Sequence, residues 1–374
     1  MKEYDLIVVG GGPAGLTSAY QLNKFGFDVL LIEKNKFPRP KLCAGLITQK
    51  TRKIIKDIFA ISRDELKKNK IINYSSDYYK IFYENKLIYE SKMEKDFDYV
   101  YRSEYDDYFF NLLKNTEVEI IENTEVINID FNKTTIITDK GNKLKANYII
   151  GADGANSIIR KRLMEKSSKI NFTEFKRKMA VSVEAIVSRN KINLDFDYPV
   201  LYYGVVNWGY GWVFPREDSL VIGLAALKDE NGNFHDLFLN YLNLIGLKNK
   251  DINYSGWQLP YGNFIKNPIY KNVLLVGDAA GLVEPLTGEG IFYAHKSGYL
   301  AAKAINESKN QNLNLKNKYQ QLLKDNLIYR LDKFKKLSKF FYSQPVFLQK
   351  ILLSLGTKMA GKYLTKTIQE VKND

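Results

Sequence analysis

The sequence predicts an interleaved α/β and α+β protein: a Rossmann-like dinucleotide domain, a mixed β-sheet domain threaded through it, and C-terminal helices. Three observations predict this. Gly10-Gly11-Gly12-Pro13-Ala14-Gly15 follows the apolar run Leu6-Ile7-Val8-Val9. A second glycine-rich loop, Gly277-Asp278-Ala279-Ala280-Gly281, follows Val273-Leu274-Leu275-Val276 far along the chain. Between them lie stretches rich in Tyr, Ile and Phe with alternating polar positions, which read as strands.

Taken in order, Leu6 to Val9 read as the first strand. Ala14 to Phe25 read as a helix with apolar Leu16, Ala19, Tyr20 and Leu22, stopped by Gly26. Val29-Leu30-Leu31-Ile32 form the second strand, ending at Glu33. This is the strand–turn–helix–strand unit that a GxGxxG fingerprint requires. Thr48 to Phe59 read as helix, residues 71–101 as strands, and Ser103 to Lys114 as helix. Glu117 to Lys145 are short β-segments around the turn Asp139-Lys140-Gly141-Asn142, and Tyr148-Ile149-Ile150 is a strand running into Gly151-Ala152-Asp153-Gly154. Met179 to Gly262 are β-rich again and contain Trp208, Trp212 and Trp257; residues 271–304 return to strand, loop and helix.

The chain therefore leaves the dinucleotide domain and returns to it. Residues 1–70, 101–175 and 263–305 are expected to build it, residues 71–100 and 176–262 the substrate sheet, and residues 306–374 the helical tail. Apolar residues at 319, 322, 323, 327, 331, 334, 337 and 341 give Lys316 to Ser343 a helical spacing. Pro345 breaks that helix, and two shorter helices are expected after it.

An apolar content of 45% over 374 residues is enough for a full core. Cys43 is the sole cysteine, so no internal disulfide exists, which suits a reducing cytosol. Met1-Lys2-Glu3-Tyr4-Asp5 leads directly into a strand rather than into an apolar signal segment. No window reaches the ~18 apolar residues that span a bilayer, so a cytoplasmic protein is expected. His235 and His295 stand far apart in sequence and make no metal site; both read as structural or surface residues.

The formal charge is +14, and residues 306–374 hold 14 Lys/Arg against 5 Asp/Glu. Such a face suits an anionic lipid surface or an acidic protein, or is simply a solvated helical face. No zinc-ligand spacing or aromatic RNA-binding strand accompanies it, which argues against nucleic acid. Phe334, Leu337, Phe340 and Phe341, set among Lys333, Lys335, Lys336 and Lys339, could lie on the inner face of the cell membrane as a peripheral contact.

The chemistry starts with the first loop. Gly10, Gly12 and Gly15 provide a tight turn, close approach of a pyrophosphate and close helix–strand packing. The helix entered through Pro13 and Ala14 then offers its N-terminus to phosphate. Glu33 stands where a carboxylate accepts hydrogen bonds from adenosine ribose hydroxyls. In the second loop, Gly277 and Asp278 follow a buried strand, and a carboxylate there can hold the ribityl hydroxyls of a flavin. Pro285-Leu286-Thr287-Gly288-Glu289-Gly290 and then Ile291 lead into a helix whose N-terminus could face the flavin pyrimidine ring. The two loops, spaced like this, point to one long cofactor held at both ends, with FAD expected.

These motifs, together with Arg102 and Asp106, and Gly151-Ala152-Asp153-Gly154 with Ser157 and Arg160, resemble the p-hydroxybenzoate hydroxylase class of FAD proteins. Within it the chain is most similar to the geranylgeranyl reductase family. Pro38-Arg39-Pro40-Lys41-Leu42-Cys43-Ala44-Gly45 resembles that family's Lys-x-Cys-Gly loop, with Ala44 where glycine is usual. Tyr210-Gly211-Trp212-Val213-Phe214-Pro215, followed by Val221-Ile222-Gly223-Leu224, resembles its Tyr-x-Trp-x-Phe-Pro strand pair. The likeness covers residues 1–305 well and the tail poorly.

The resemblance implies that Cys43, Ala44, Arg102 and Asp153 lie beside FAD. It also implies that Tyr210, Trp212, Phe214 and Pro215 line an apolar slot for a prenyl chain. Cys43 is then either a thiol near the flavin or a small buried hydrophobe. The implied activity is saturation of C=C bonds in an isoprenoid, with Tyr210, Trp212 and Cys43 as candidate catalytic residues, one carbon receiving hydride from reduced flavin and the other a proton from Tyr210, Cys43 or water. The chain has no second dinucleotide fingerprint, so the electron donor, NAD(P)H or ferredoxin, is expected to bind transiently. A flavin monooxygenase or halogenase is the alternative on this fold, although halogenases carry Trp-x-Trp-x-Ile-Pro at the aromatic strand. A non-catalytic prenyl-binding relative is the alternative from another class.

Overall fold

The computed structural model describes residues 3–166, 172–192, 196–247 and 252–356. Among them the strands form two eight-stranded sheets. In the first, Glu3–Val9 lies between Val29–Ile32 and Lys143–Gly151, both parallel to it. Glu119–Ile121 extends the parallel array on one side and Val273–Leu275 on the other. The Leu, Ile and Val side chains of the central strands are buried, as expected of a parallel sheet covered on both faces. Lys143–Gly151 is one continuous strand. The hairpin strand after Gly141 therefore runs directly into the expected core strand at Tyr148 rather than ending before it.

Helices Pro13–Lys24 and Ile291–Gln311 pack against each other beside this sheet. A Cβ at Gly298 would stand 2.3 Å from the carbonyl oxygen of Ala14, so the two backbones meet there directly. This contact brings the helices that follow the two glycine loops together, although about 280 residues separate the contacting positions.

The second sheet runs in the order Ser255–Pro260, Met179–Ser188, Ser219–Leu227, Gly209–Pro215, Val200–Tyr203, Tyr74–Tyr83, Lys86–Tyr99 and Leu46–Ile47. Neighbours are antiparallel except Val200–Tyr203 with Tyr74–Tyr83. Helix Phe234–Leu244 covers one face, where Phe238 and Tyr241 pack on Val183, Val213, Ile222 and Leu224. The opposite face carries the alternate residues Tyr210, Trp212 and Phe214.

The tail is helical over Leu315–Leu323, passes through a π-helical turn at Lys324–Ile328, and continues as Tyr329–Tyr342. One further helical stretch, 346–356, follows the break at Pro345, and the second expected one lies outside the described residues. Phe341 departs from the expected surface stripe. It is buried with Leu331 and Ser338 and meets the Tyr203 ring edge-on at 5.7 Å. Positions 331, 338 and 341 share one side of a 3.6-residue helix, which leaves Leu337 and Phe340 on the exposed side, at 45% and 51% exposure.

Candidate functional site

At the first loop Gly10 has a φ of 103°, and a Cβ on Gly15 would lie 1.9 Å from the Gly10 carbonyl oxygen. Only glycine permits that turn. Gly12 caps the following helix without a side chain, and Pro13 at its first position has no N–H to satisfy. Above Gly12 the nearest atom to a notional Cβ is an Arg39 guanidinium nitrogen, 3.9 Å away. The Glu33 carboxylate accepts the Gly11 N–H at 2.7 Å and the Asn35 N–H at 3.0 Å, fixing the loop against the end of its strand.

The second loop meets the first. A Cβ on Gly277, whose φ is 54°, would lie 3.0 Å from the Ala14 methyl. The Gly277 N–H donates to Ser297 Oγ at 2.9 Å. Asp278 Oδ1 stands 3.8 Å from a notional Cβ of Gly290, the residue that opens helix Ile291–Gln311 with no side-chain cap. Glu284 folds the intervening turn by accepting the N–H groups of Leu286 and Thr287, and burial raises its carboxyl above the ordinary range. Pro285 is buried, and its carbonyl accepts from Ser338 Oγ of the tail helix at 3.1 Å. Gly288, with a φ of 70°, completes the turn beneath the Tyr210 hydroxyl.

Asp153 caps helix Ile158–Lys166 through Oδ2, accepting from Ile158 at 2.8 Å, while its buried Oδ1 has no partner among the described residues. Arg160 ties this loop to the second glycine loop by donating to the carbonyls of Asp278 and Ala279. Burial pushes its guanidinium down to about 10.

Between these loops Arg102 holds Asp106 with two bonds of 2.9 Å and engages the Cys43 sulfur. Arg39 bridges Glu33 at 3.5 Å and Asp106 at 3.4 Å while stacking on Phe37. Burial lowers the Lys41 ammonium, against the attraction of Asp278. The Cys43 sulfur accepts the Gly45 N–H at 3.4 Å, and the Ala44 carbonyl accepts from Arg216.

The aromatic face lies under this loop. Phe214 and Trp212 are buried with Tyr99 and Val221, against Ala44 and Leu46. Tyr210 donates its hydroxyl to the Thr287 carbonyl, and burial pushes the phenol well above its ordinary range. Its proton is thus held by the loop. On the neighbouring strands, Glu184 is 5% exposed and accepts the Cys43 N–H at 3.2 Å. Burial pushes its carboxyl up to about 7, opposed by Arg216 and that N–H.

The structure therefore gathers Gly10, Gly12, Pro13, Ala14, Gly15 and Glu33 at one end. Gly277 meets that group at Ala14 and leads on to Asp278, Gly290 and Ile291, while the loop of Lys41, Cys43 and Ala44 reaches both Arg102 and Asp278. Sequence reasoning assigned no role to Arg39, Lys41 or Glu184. For Glu184 a signal existed: a lone acid inside the apolar strand Met179-Ala-Val-Ser-Val-Glu-Ala-Ile-Val-Ser. Sequence also missed the tail, whose Phe341, Leu352 and Leu353 pack with Tyr203 and Tyr210. His295 is buried between Thr17 Oγ1 and the Tyr105 hydroxyl, each 2.7 Å away, and burial lowers it to about 3. It is a structural knot, whereas His235 is exposed.

These residues fit FAD. The open approach above Gly12, two helix N-termini without side-chain caps and an unpartnered Asp153 oxygen are what a pyrophosphate, a flavin ring and cofactor hydroxyls would occupy. Fold and site thus define an FAD-binding protein, and residues 3–194 match the FAD binding domain family. Geranylgeranyl diphosphate reductase of Rhodobacter capsulatus is 30% identical over 313 residues, covering 81% of this chain and 75% of the relative. Digeranylgeranylglycerophospholipid reductase of Methanococcus aeolicus is 28% identical, covering 89% and 88%. The solved geranylgeranyl bacteriochlorophyll reductase-like protein of Thermoplasma acidophilum shares the fold, with a TM-score of 0.80 and 22% identity over 94% of this chain and 91% of its own. The chain belongs to the geranylgeranyl reductase family of FAD-binding proteins.

Proposed function

We propose that this protein is an FAD-dependent reductase that saturates C=C bonds in the isoprenoid chain of a lipid, quinone or prenyl diphosphate. The observation that carries this is the aromatic face. Tyr210, Trp212 and Phe214 project from alternate positions of one strand toward the loop of Cys43 and the turn of Thr287. An isoprenoid needs such a dry, aromatic-lined slot.

Bound FAD supplies the two-electron hydride chemistry. Gly10, Gly12, Pro13, Ala14 and Gly15 hold the pyrophosphate, Glu33 the adenosine ribose, and Asp278 the ribityl hydroxyls. Cys43, Ala44, Arg102 and Asp153 border the cofactor, and the turn Pro285–Gly288 with Gly290 and Ile291 sets a helix N-terminus toward the flavin ring. Phe214 and Pro215 exclude water from the prenyl slot. NAD(P)H or ferredoxin delivers electrons transiently, and the net charge of +14 favours an acidic ferredoxin.

The tail adds a cytoplasmic membrane contact. Leu337, Phe340, Val346 and Phe347 are exposed beside Lys333, Lys336 and Lys339, while the tail's inner side packs on Tyr203 and Tyr210. A lipid substrate would then enter the aromatic face directly from the bilayer. Pelleting with anionic vesicles, reversed by salt and by Leu337→Ser with Phe340→Ser, supports that contact. Pelleting indifferent to lipid charge and salt counts against it.

The reaction is tested with purified, anaerobically reduced protein and isoprenoids carrying different head groups. A gain of two hydrogens per double bond is expected by mass spectrometry. An unchanged chain overturns the reading, and oxygen incorporated into the product in air would move it to a monooxygenase.

A further inference from the structure

The aromatic face holds one group for which the residues described so far provide no use. Glu184 pairs across the sheet with Gly223, which pairs on its other side with Trp212. Directly opposed residues share a face, so the three form one row. A Cβ on Gly223 would stand 2.4 Å from Trp212 Cζ2. The indole therefore lies across the glycine, toward Glu184.

Trp212 Nε1 and Glu184 Oε2 are both buried without a hydrogen-bond partner among the described residues. Leaving such a group without a partner in a dry interior is costly. The indole can only donate, whereas a carboxyl accepts when ionised and donates when protonated. Glu184 Oε1 is fixed by the Cys43 N–H at 3.2 Å, so the free oxygen is the other one. That bond also couples the carboxyl to the loop whose Cys43 sulfur meets Arg102 beside the cofactor site.

We propose that Glu184 is the acid that protonates the alkene, a role that rests on the reductase reading above. One alkene carbon receives hydride and the other takes the proton from the Glu184 carboxyl. The π bond breaks, two C–H bonds form, and both electrons come from reduced FAD. Glu184 is left as a carboxylate and regains its proton from solvent. Tyr210 is not free for this step, because its hydroxyl is committed to Thr287.

Arg216 and the Cys43 N–H act on Glu184 directly, and Lys41 stands farther along the sheet. Arg216 follows strand Gly209–Pro215, and its charge favours the carboxylate. Cys43 approaches from the loop, and Lys41 stands over Trp257, which pairs with Ser182 one row away. Against these, burial keeps the carboxyl protonated up to about pH 7.

The test compares wild type with Glu184→Gln and Glu184→Asp, each loaded with FAD and assayed under anaerobic conditions. Glu184→Gln is expected to lower kcat by about 100-fold with little change in KM or flavin content. It should also abolish a fall in rate as pH rises through about 7. Glu184→Asp should recover part of the rate and keep the pH limb. Independently of turnover, the infrared difference between wild type and Glu184→Gln, without substrate, should show a carboxylic-acid carbonyl band that disappears above neutrality. A Glu184→Gln enzyme within about threefold of wild type, or one keeping the pH limb, overturns the proposal while leaving the reductase reading intact. Wild-type protein whose pH-difference infrared spectrum shows no carboxylic-acid band lost between pH 6 and 8 overturns it whether or not the variants fold. A wild-type enzyme that reduces no isoprenoid overturns both.

Discussion

The two sheets build their parts of the site from different materials. The parallel sheet presents mainly backbone: glycine turns, helix N-termini, and a few carboxylates fixed by main-chain N–H groups. The antiparallel sheet presents side chains, with Trp212 laid over Gly223 and Glu184 buried in the same row. That backbone site tolerates almost no change at Gly10 and Gly15, where a Cβ would overlap main-chain atoms. A side-chain site can be altered residue by residue, and each change alters chemistry more than cofactor affinity.

The most severe test is Gly15→Val, whose Cβ has no room beside the Gly10 carbonyl. FAD affinity should fall by about 100-fold or more, ~3 kcal/mol, read from the flavin absorbance of the purified protein. A yellow Gly15→Val protein would break the contrast. On the other sheet, Trp212→Ala should cost about 3 kcal/mol in urea unfolding by leaving a cavity over Gly223. Isoprenoid reduction should drop while FAD affinity stays within about threefold.

His295 asks whether the parallel-sheet region also depends on a buried side chain. It is held neutral, at about 3 against an ordinary 6.5, so the unfolded chain takes up a proton that the folded one refuses. Its contribution is complete above pH 6.5 and is lost as pH falls toward 3, at about 1.4 kcal/mol per pH unit. Thermal melts across that range should show the slope in wild type, and His295→Gln should flatten it. The smallest effect is expected for Asp278→Asn, which keeps the loop shape but would weaken the proposed hydrogen bonds to ribityl hydroxyls. FAD should bind about tenfold less tightly, ~1.4 kcal/mol, by fluorescence titration.

The legibility of the site follows the same division. Gly10, Gly12, Gly15 and Glu33 could be read directly, because a phosphate-binding turn is local and its spacing is written within a few residues. Asp278 could be read because it repeats the same strand–loop pattern. The aromatic strand Tyr210 to Pro215 announced its alternation but not what it faces. Phe341 fitted the helical period of the tail, yet the period alone could not say which side of the helix packs inward.

The sequence by itself determined the cofactor end: two βα turns, their glycines and the carboxylates beside them, all set by short-range steric and hydrogen-bonding rules. Only the tertiary structure decided what meets the aromatic strand. Cross-strand register put Trp212, Gly223 and Glu184 in one row, although these residues come from three separate strands. Chain folding then laid the Cys43 loop and the Thr287 turn above that face and packed the tail against it. Register and loop placement arise from contacts between residues far apart in the chain, and no local spacing encodes them.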